Sequence, residues 1–204
     1  MTHEDVVVLD YGFGNIRSAQ RALERVGATV EVTADLDRAA ECAGLVVPGV
    51  GAYAACMAGI ERIGAAPIIR ERIERDRPVL GICVGAQIMF DRGVEHGLEC
   101  AGIGAVPGDV VRLDAGILPH MGWNTVDAAA ESQLHKGLDA ATRFYFVHSY
   151  AAKQTALDVL VTTCTYGEPF IASYERGALS ATQFHPEKSG DAGAHLLANW
   201  METL

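Results

Sequence analysis

The chain has 204 residues, half of them hydrophobic and only 7% aromatic, and a formal net charge of −10. A chain of this length can bury roughly 70% of its unfolded surface, so its folding requires neither disulfides nor a metal. The negative charge argues against nucleic acid and anionic membranes as main partners, because both bind basic surfaces.

Cysteine usage indicates a reducing compartment. The five cysteines are odd in number, none lies in a CxxC pair, and the N-terminal sequence MTHEDVVVLDYG does not resemble a signal peptide. No apolar run approaches the ~18 residues that span a bilayer. We predict a cytoplasmic protein, and we expect no metal ion and no cofactor.

The first half of the chain alternates strands with amphipathic helices. Val6–Gly12 is an apolar, β-branched run ended by glycines, which is typical of a strand buried on both faces. Apolar residues then recur at helical spacing from Ile16 to Val26, and Gly27 closes this helix. The same patterns predict strands at 29–33, 44–53 and 77–83, and helices at 67–77 and from Val84 onward.

The second half contains more strands. The sequence predicts four of them and a final helix, at Ala105–Leu113, Arg143–Ser149, Leu157–Tyr166, Ile171–Tyr174 and near Gly193–Glu202. Alternating buried strands and one-sided helices imply a parallel sheet covered on both faces. We predict a single α/β domain over residues 1–204, with three layers and a mostly parallel open sheet between helices.

Three glycine-rich segments directly follow predicted strands. Their sequences are DYGFGN, PGVGAY and GICVGAQ. Active sites in open parallel sheets form beyond the carboxyl ends of the strands. We therefore expect these segments at one edge of the sheet, around the active site.

Cys83 lies in GICVGAQ, whose G-x-C-x-G spacing is that of a nucleophile elbow between a strand and a helix. Gly81 and Gly85 remove side chains that would collide on such a strained turn. A helix N-terminus favours the thiolate, and the amide of Val84 points to where an oxyanion would form. This motif alone leaves open a buried structural cysteine.

The segment QFHPEKS supplies a base and a group to orient it. His185 and Glu187 are two residues apart, so an extended backbone places both side chains on one face. Pro186 disfavours helix at His185. His185 is thus a candidate base for Cys83, held by Glu187, although each residue alone also fits a solvated turn.

A second oxyanion donor is expected in PGVG, which leaves its strand at the same edge. The amide of Val50 is the candidate, because Gly49 and Gly51 permit backbone angles closed to other residues. Taken alone, the segment also fits an ordinary glycine loop.

Together these residues resemble a known family. GICVGAQ and FHPE are similar to the signature of class I glutamine amidotransferases, in which a Cys–His–Glu triad releases ammonia from glutamine. Within that family, the ordered motifs DYGFGN, PGVGAY, PHMGWN, YFVHSY and HPEKS resemble the glutaminase subunits of imidazole glycerol phosphate synthases. Val84 and Ala86 stand where Leu and Met are common.

The resemblance implies a role for each matching residue. Cys83 would attack the glutamine amide to form a thioester, with His185 as the proton carrier and Glu187 as its orienting group. Two further sets follow from the resemblance: substrate-binding Gly51, Gln87, Glu95, Ser149 and Tyr150, and partner-facing Asn15, Trp123, Tyr145 and Lys188. The implied partner is a separate cyclase subunit of the (β/α)₈ type, in a heterodimer that passes ammonia directly.

Three alternatives remain at this point. The chain would be a glutaminase for another ammonia-using synthase, a non-catalytic amidotransferase-like binding module, or a cysteine peptidase on a similar fold. PHMGWN and HPEKS favour the histidine pathway over other synthases. The intact Cys–His–Glu set argues against a binding module, and Gln87 and Glu95 suit a free amino acid better than a peptide.

Overall fold

The computed structural model describes residues 5–204. Within this range there are thirteen strands, six α-helices and one short 3₁₀ turn. The strands are β1 (Asp5–Leu9), β2 (Thr29–Thr33), β3 (Gly44–Gly49), β4 (Val79–Cys83), β5 (Phe90–Glu95), β6 (Leu98–Ala101), β7 (Val106–Arg112), β8 (His120–Thr125), β9 (Arg143–His148), β10 (Tyr150–Ala152), β11 (Leu160–Tyr166), β12 (Glu168–Arg176) and β13 (Leu179–Thr182). The helices are α1 (Ile16–Arg25), α2 (Leu36–Glu41), α3 (Tyr53–Ile63), α4 (Ala65–Glu74), α5 (Val84–Gln87) and α6 (Gly190–Met201), and the 3₁₀ turn is Pro186–Lys188.

A seven-stranded sheet forms the centre, in the order β11-β12-β13-β4-β3-β1-β2. Four of its pairings are parallel (β1 with β2 and β3, and β4 with β3 and β13), and β12 pairs antiparallel with both neighbours. β3 and β4 are buried along their whole length. The structure thus confirms the predicted mostly parallel sheet.

Helices cover both faces of this sheet. The chain moves outward from β1 to β2 and then back across β1 to β3 and β4, so right-handed crossovers place α1 on one face and α2 to α4 on the other. α6 packs beside α1, and α4 packs beside α2 and α3. The carboxyl ends of β1, β3 and β4 consequently meet at one edge, as the three glycine-rich segments predict.

The structure differs from the sequence prediction after Cys83. The helix predicted from Val84 onward lasts one turn, to Gln87, and Phe90 already begins β5 of a separate four-stranded sheet, β10-β7-β5-β6. Ile88 and Met89 between them are fully buried. A short apolar run that is buried on all sides has no distinguishing period, so helix and strand look alike in it.

The sequence predicts no strand at Leu179–Thr182, where the structure has β13. Of its residues LSAT only Thr182 is β-branched, but all four are buried because β13 lies between β4 and β12. This strand matters for the site, because its parallel pairing with β4 brings the residues after Thr182 to the same edge as Cys83.

No helix among residues 5–204 is long and apolar enough to cross a membrane. Nor does that part of the chain group three or more His, Cys, Asp or Glu side chains as a metal ion would require.

Candidate active site

Cys83 ends β4 in a strained backbone conformation, with φ 56° and ψ −114°. Positive φ is rare for residues other than glycine and marks a conformation that surrounding contacts impose. A Cβ on Gly81 would lie 2.9 Å from the Ala86 Cα, and one on Gly85 would lie 1.9 Å from the Val47 carbonyl oxygen. The glycines therefore allow the close approach that the elbow spacing predicts.

His185 and Glu187 form a buried pair. Nδ1 of His185 lies 2.7 Å from Oε1 of Glu187, and each side chain is only 2% exposed. The carboxylate accepts the Nδ1–H, so Nε2 is the nitrogen left to hydrogen-bond with Cys83.

The backbone around His185 is fixed by β9 and by Ser189. The amide of His185 donates to the carbonyl of Tyr145 (2.9 Å), and the Ser189 hydroxyl donates to the carbonyl of His185 (2.7 Å). The same hydroxyl accepts from the Tyr145 amide (3.0 Å). These three bonds lock the imidazole-bearing segment to the neighbouring sheet.

The surroundings of His185 favour its protonated form. Burial lowers its pKa, but hydrogen bonds and charge interactions with Cys83 and Glu187 outweigh burial and raise the pKa from 6.5 to about 9. At neutral pH His185 is therefore an imidazolium, whose Nε2–H lies beside Cys83.

A cavity of about 580 Å³ opens in front of Cys83. This volume is in the range of small-molecule sites. Ten residues that the sequence singles out line it: Val50, Gly51, Cys83, Val84, Gln87, Glu95, Ser149, Tyr150, His185 and Lys188. Glu187 lies behind His185 rather than in the cavity wall.

Two side chains support the segment that carries Val50. The Tyr11 hydroxyl donates to the carbonyl of Pro48 (2.5 Å), and the Cys56 thiol donates to the carbonyl of Val50 (3.4 Å). These two bonds hold the peptide groups before and after the Gly49–Val50 peptide. The Gly49–Val50 peptide itself contains the Val50 amide, which is the predicted oxyanion donor.

Gln87 and Glu95 both hydrogen-bond within the protein. The amide nitrogen of Gln87 donates to the Tyr150 carbonyl (2.8 Å) and to Oε1 of Gln183 (2.9 Å), which uses both of its hydrogens. Its own oxygen is the atom left for a ligand, so Gln87 can only accept. Oε2 of Glu95 accepts from the amide of Tyr53, the first residue of α3 (2.8 Å).

Sequence analysis misses Gln183, a buried residue whose amide nitrogen lies 3.8 Å from Sγ of Cys83. Gln183 precedes His185 by two residues, so the extended backbone that the sequence predicts for this segment would place both side chains on one face. Beyond His185 that prediction is wrong: Pro186–Lys188 forms a 3₁₀ turn, which nevertheless holds Glu187 2.7 Å from the His185 ring.

The four predicted partner-facing residues occupy different elements. Trp123 of β8 is 54% exposed, and its ring lies 5.9 Å from that of Tyr145 on β9. Lys188 is exposed at the cavity, and Asn15 lies between β1 and α1. Met121, two residues before Trp123 on the same face of β8, is 62% exposed, and Ile117 is 76% exposed, so apolar side chains face outward from this part of the chain.

Acidification is expected to destabilise the fold, because three buried histidines resist protonation. Burial lowers the pKa of His120 and His135 to about 4 and that of His148 to about 3, from 6.5. Below pH 6.5 the unfolded chain thus binds more protons than the folded chain, and the free energy of unfolding falls with pH. His185 has the opposite effect because its pKa is raised. Its contribution to the free energy of unfolding is fully present below pH 6.5 and is lost as the pH rises through about 9.

We expect a net loss of about 3 kcal/mol between pH 7 and pH 5.5, measured by urea unfolding. His135→Leu removes one of the three groups and should reduce the pH slope by about a third. An unchanged slope in this variant would show that the buried histidines are not its source.

Comparisons with known proteins agree with this geometry. The family model described as glutamine amidotransferase class-I matches residues 7–204. Relatives named imidazole glycerol phosphate synthase subunit HisH include one from Mycobacterium bovis, 63% identical with 100% of both chains covered, and one from Streptomyces avermitilis, 59% identical with 100% of this chain and 98% of the other covered. A solved glutamine amidotransferase structure, 21% identical, shares the fold with a TM-score of 0.77 over 97% of both chains.

Proposed function

Because the chain belongs to the class I glutamine amidotransferase family, we propose that Cys83, His185 and Glu187 hydrolyse glutamine in the cavity before them. Its function is that of the glutaminase subunit of imidazole glycerol phosphate synthase, in histidine biosynthesis. The observation that carries the assignment of residues is the strained Cys83 elbow facing a buried, 2.7 Å His185–Glu187 pair.

The reaction begins from the thiolate–imidazolium pair. Sγ of Cys83 attacks the side-chain carbonyl carbon of glutamine, and His185 gives its Nε2 proton to the departing nitrogen, so a thioester and ammonia form. The neutral imidazole then takes a proton from water, which attacks the thioester and expels the thiolate. Glutamate and ammonia are the products, and the ion pair is restored. Glu187 keeps Nδ1 protonated throughout, which leaves Nε2 to move the proton.

Charge that develops on the carbonyl oxygen requires two donors. The amides of Val84 and Val50 fill this role, and losing one such donor typically costs ~10²–10³ in turnover. Gln87 accepts from the substrate ammonium through its oxygen, and Glu95 supplies the opposite charge. Gly51, Ser149 and Tyr150 line the same cavity and contact the substrate through their backbones.

We further propose a cytoplasmic heterodimer with a (β/α)₈ cyclase that consumes the ammonia, with neither nucleic acid nor membrane as a partner. Support comes from the relatives, which are named as subunits of a synthase. The apolar surface of Ile117, Met121 and Trp123 suits a protein partner. Lys188 is exposed beside the cavity, where ammonia would leave.

Glutamine hydrolysis by the purified chain is expected to rise about 100-fold when the cyclase and its ribonucleotide ligand are added. The reason is the Gly49–Val50 peptide, whose flanking carbonyls are held by Tyr11 and Cys56 while glycine permits the peptide itself to turn. Glutamate release is measured with the chain alone, with the cyclase, and with cyclase and ligand. Full activity of the chain alone would contradict partner control, and no activity in any mixture would contradict the glutaminase assignment.

A further inference from the structure

Two buried histidines that the mechanism does not use lie on the paired strands β8 and β9. His120 and His148 face each other across this pair of strands, with Nδ1 of His120 3.0 Å from Nε2 of His148. Nδ1 of His148 lies 3.0 Å from the carbonyl oxygen of Tyr150, and Nε2 of His120 lies 3.4 Å from the amide nitrogen of Asn124. The four residues form a continuous polar chain through an apolar interior.

This series of hydrogen bonds continues from Tyr150 to Cys83. The Tyr150 carbonyl that accepts from His148 also accepts from Gln87 (2.8 Å). Gln87 donates to Gln183 (2.9 Å), whose own amide nitrogen lies 3.8 Å from Sγ of Cys83. Hydrogen bonds therefore connect His120 of β8 to Sγ of Cys83.

Only one arrangement of protons satisfies every link. A carbonyl can only accept, so Nδ1 of His148 carries the hydrogen and Nε2 accepts from Nδ1–H of His120. Nε2 of His120 then accepts from Asn124, whose amide nitrogen also donates to the Thr165 carbonyl (3.2 Å). Both histidines are thus neutral Nδ1–H tautomers.

The surroundings enforce this arrangement. The His120 ring stacks between Phe146 and Tyr166, with centroid distances of 4.7 and 4.1 Å, which fixes the direction of its Nδ1. His120 is 3% and His148 6% exposed. Burial keeps the pKa of both well below neutrality. For His148 the hydrogen bond to the Tyr150 carbonyl opposes this shift, and charge interactions with His120 and His185 add to it.

We propose that His120 and His148 are positioning residues for glutamine hydrolysis, which act through Tyr150, Gln87 and Gln183 on the sulfur of Cys83. This inference rests on the proposed glutaminase function. His148 holds the Tyr150 carbonyl where it accepts from Gln87, and Gln87 in turn orients Gln183 so that its N–H points at Sγ. Through the same hydrogen bonds, the position of β8 and β9 affects how the sulfur of Cys83 is held.

The test compares two substitutions with the same number and branching of side-chain heavy atoms, in the complete complex with the cyclase. His148→Asn retains a donor at the position of Nδ1, whereas His148→Leu has none. We expect glutamine-driven turnover, relative to ammonium-driven turnover of the same complex, to fall about tenfold in His148→Leu and to stay within about threefold of wild type in His148→Asn. His135→Leu, which removes a buried histidine bonded to Ser173 instead, is the matched control and should leave this ratio unchanged.

Wild-type turnover in His148→Leu, or equal losses in both His148 variants, would overturn the proposal. A second measurement does not depend on any variant folding. Nitrogen-15 shifts of the wild-type imidazoles should show His120 and His148 as Nδ1–H tautomers that do not titrate between pH 6 and 8. An Nε2–H tautomer at either histidine would overturn the proposed series of hydrogen bonds. Absence of glutamine turnover in the wild-type complex would instead count against the proposed function.

Discussion

Replacing Cys83 by alanine is expected to abolish glutamine hydrolysis, while the assembled enzyme still makes product from added ammonium. The thiol is the only group at the elbow that can form the thioester, and the remaining oxyanion donors cannot replace a nucleophile. Losing the nucleophile of a comparable triad costs at least about 10⁴ in turnover. Glutamate release and cyclase product are measured in the same complex, first with glutamine and then with ammonium.

The structure offers a matched control for this substitution. Cys100 is partly exposed on β6, has no glycine elbow, and its pKa is raised by burial, so Cys100→Ala should keep both activities. Loss of ammonium-driven synthesis in Cys83→Ala would contradict a division of labour between two subunits. Substantial glutamine hydrolysis in Cys83→Ala would mean that another group is the nucleophile.

The sequence predicts well those parts of the site whose constraint is local. Cys83 is found because an elbow needs glycines at fixed offsets, and the close contacts of Gly81 and Gly85 agree with this reasoning. His185 and Glu187 do come together, with a 2.7 Å bond, but through the 3₁₀ turn Pro186–Lys188 and not through the extended backbone that the prediction assumes. The roles predicted for substrate and partner residues remain proposals, although most of the substrate set lines one cavity.

The unpredicted parts depend on contacts between distant segments. Gln183 lies next to Cys83, 100 positions away in the sequence, only because β13 pairs with β4. His120 and His148 likewise look like ordinary histidines until β8 pairs with β9. The helix α5 is predicted but its length is not, for a different reason: a buried apolar run carries no period that shows where helix gives way to strand.

Gly85→Ala is expected to damage both the fold and the catalysis, because two backbones meet where the new methyl group would go. A Cβ on Gly85 would lie 1.9 Å from the carbonyl oxygen of Val47, and a Cβ on Gly49 would lie 2.3 Å from the amide nitrogen of Gly85. Neither contact can be relieved by a side-chain rotation, so β3 and α5 must separate. We expect a loss of about 3 kcal/mol in the free energy of unfolding.

Catalysis should suffer more than stability does. Val50 directly follows β3 and Val84 begins α5, so separating β3 from α5 moves the two oxyanion donors apart. We expect turnover to fall more than about 100-fold. Urea unfolding and glutamine turnover with the cyclase present check the two effects. Gly116→Ala is the control, because a Cβ there has no atom within 4 Å, and it should change neither quantity. Wild-type turnover in Gly85→Ala would show that the oxyanion donors do not depend on the contact between β3 and α5.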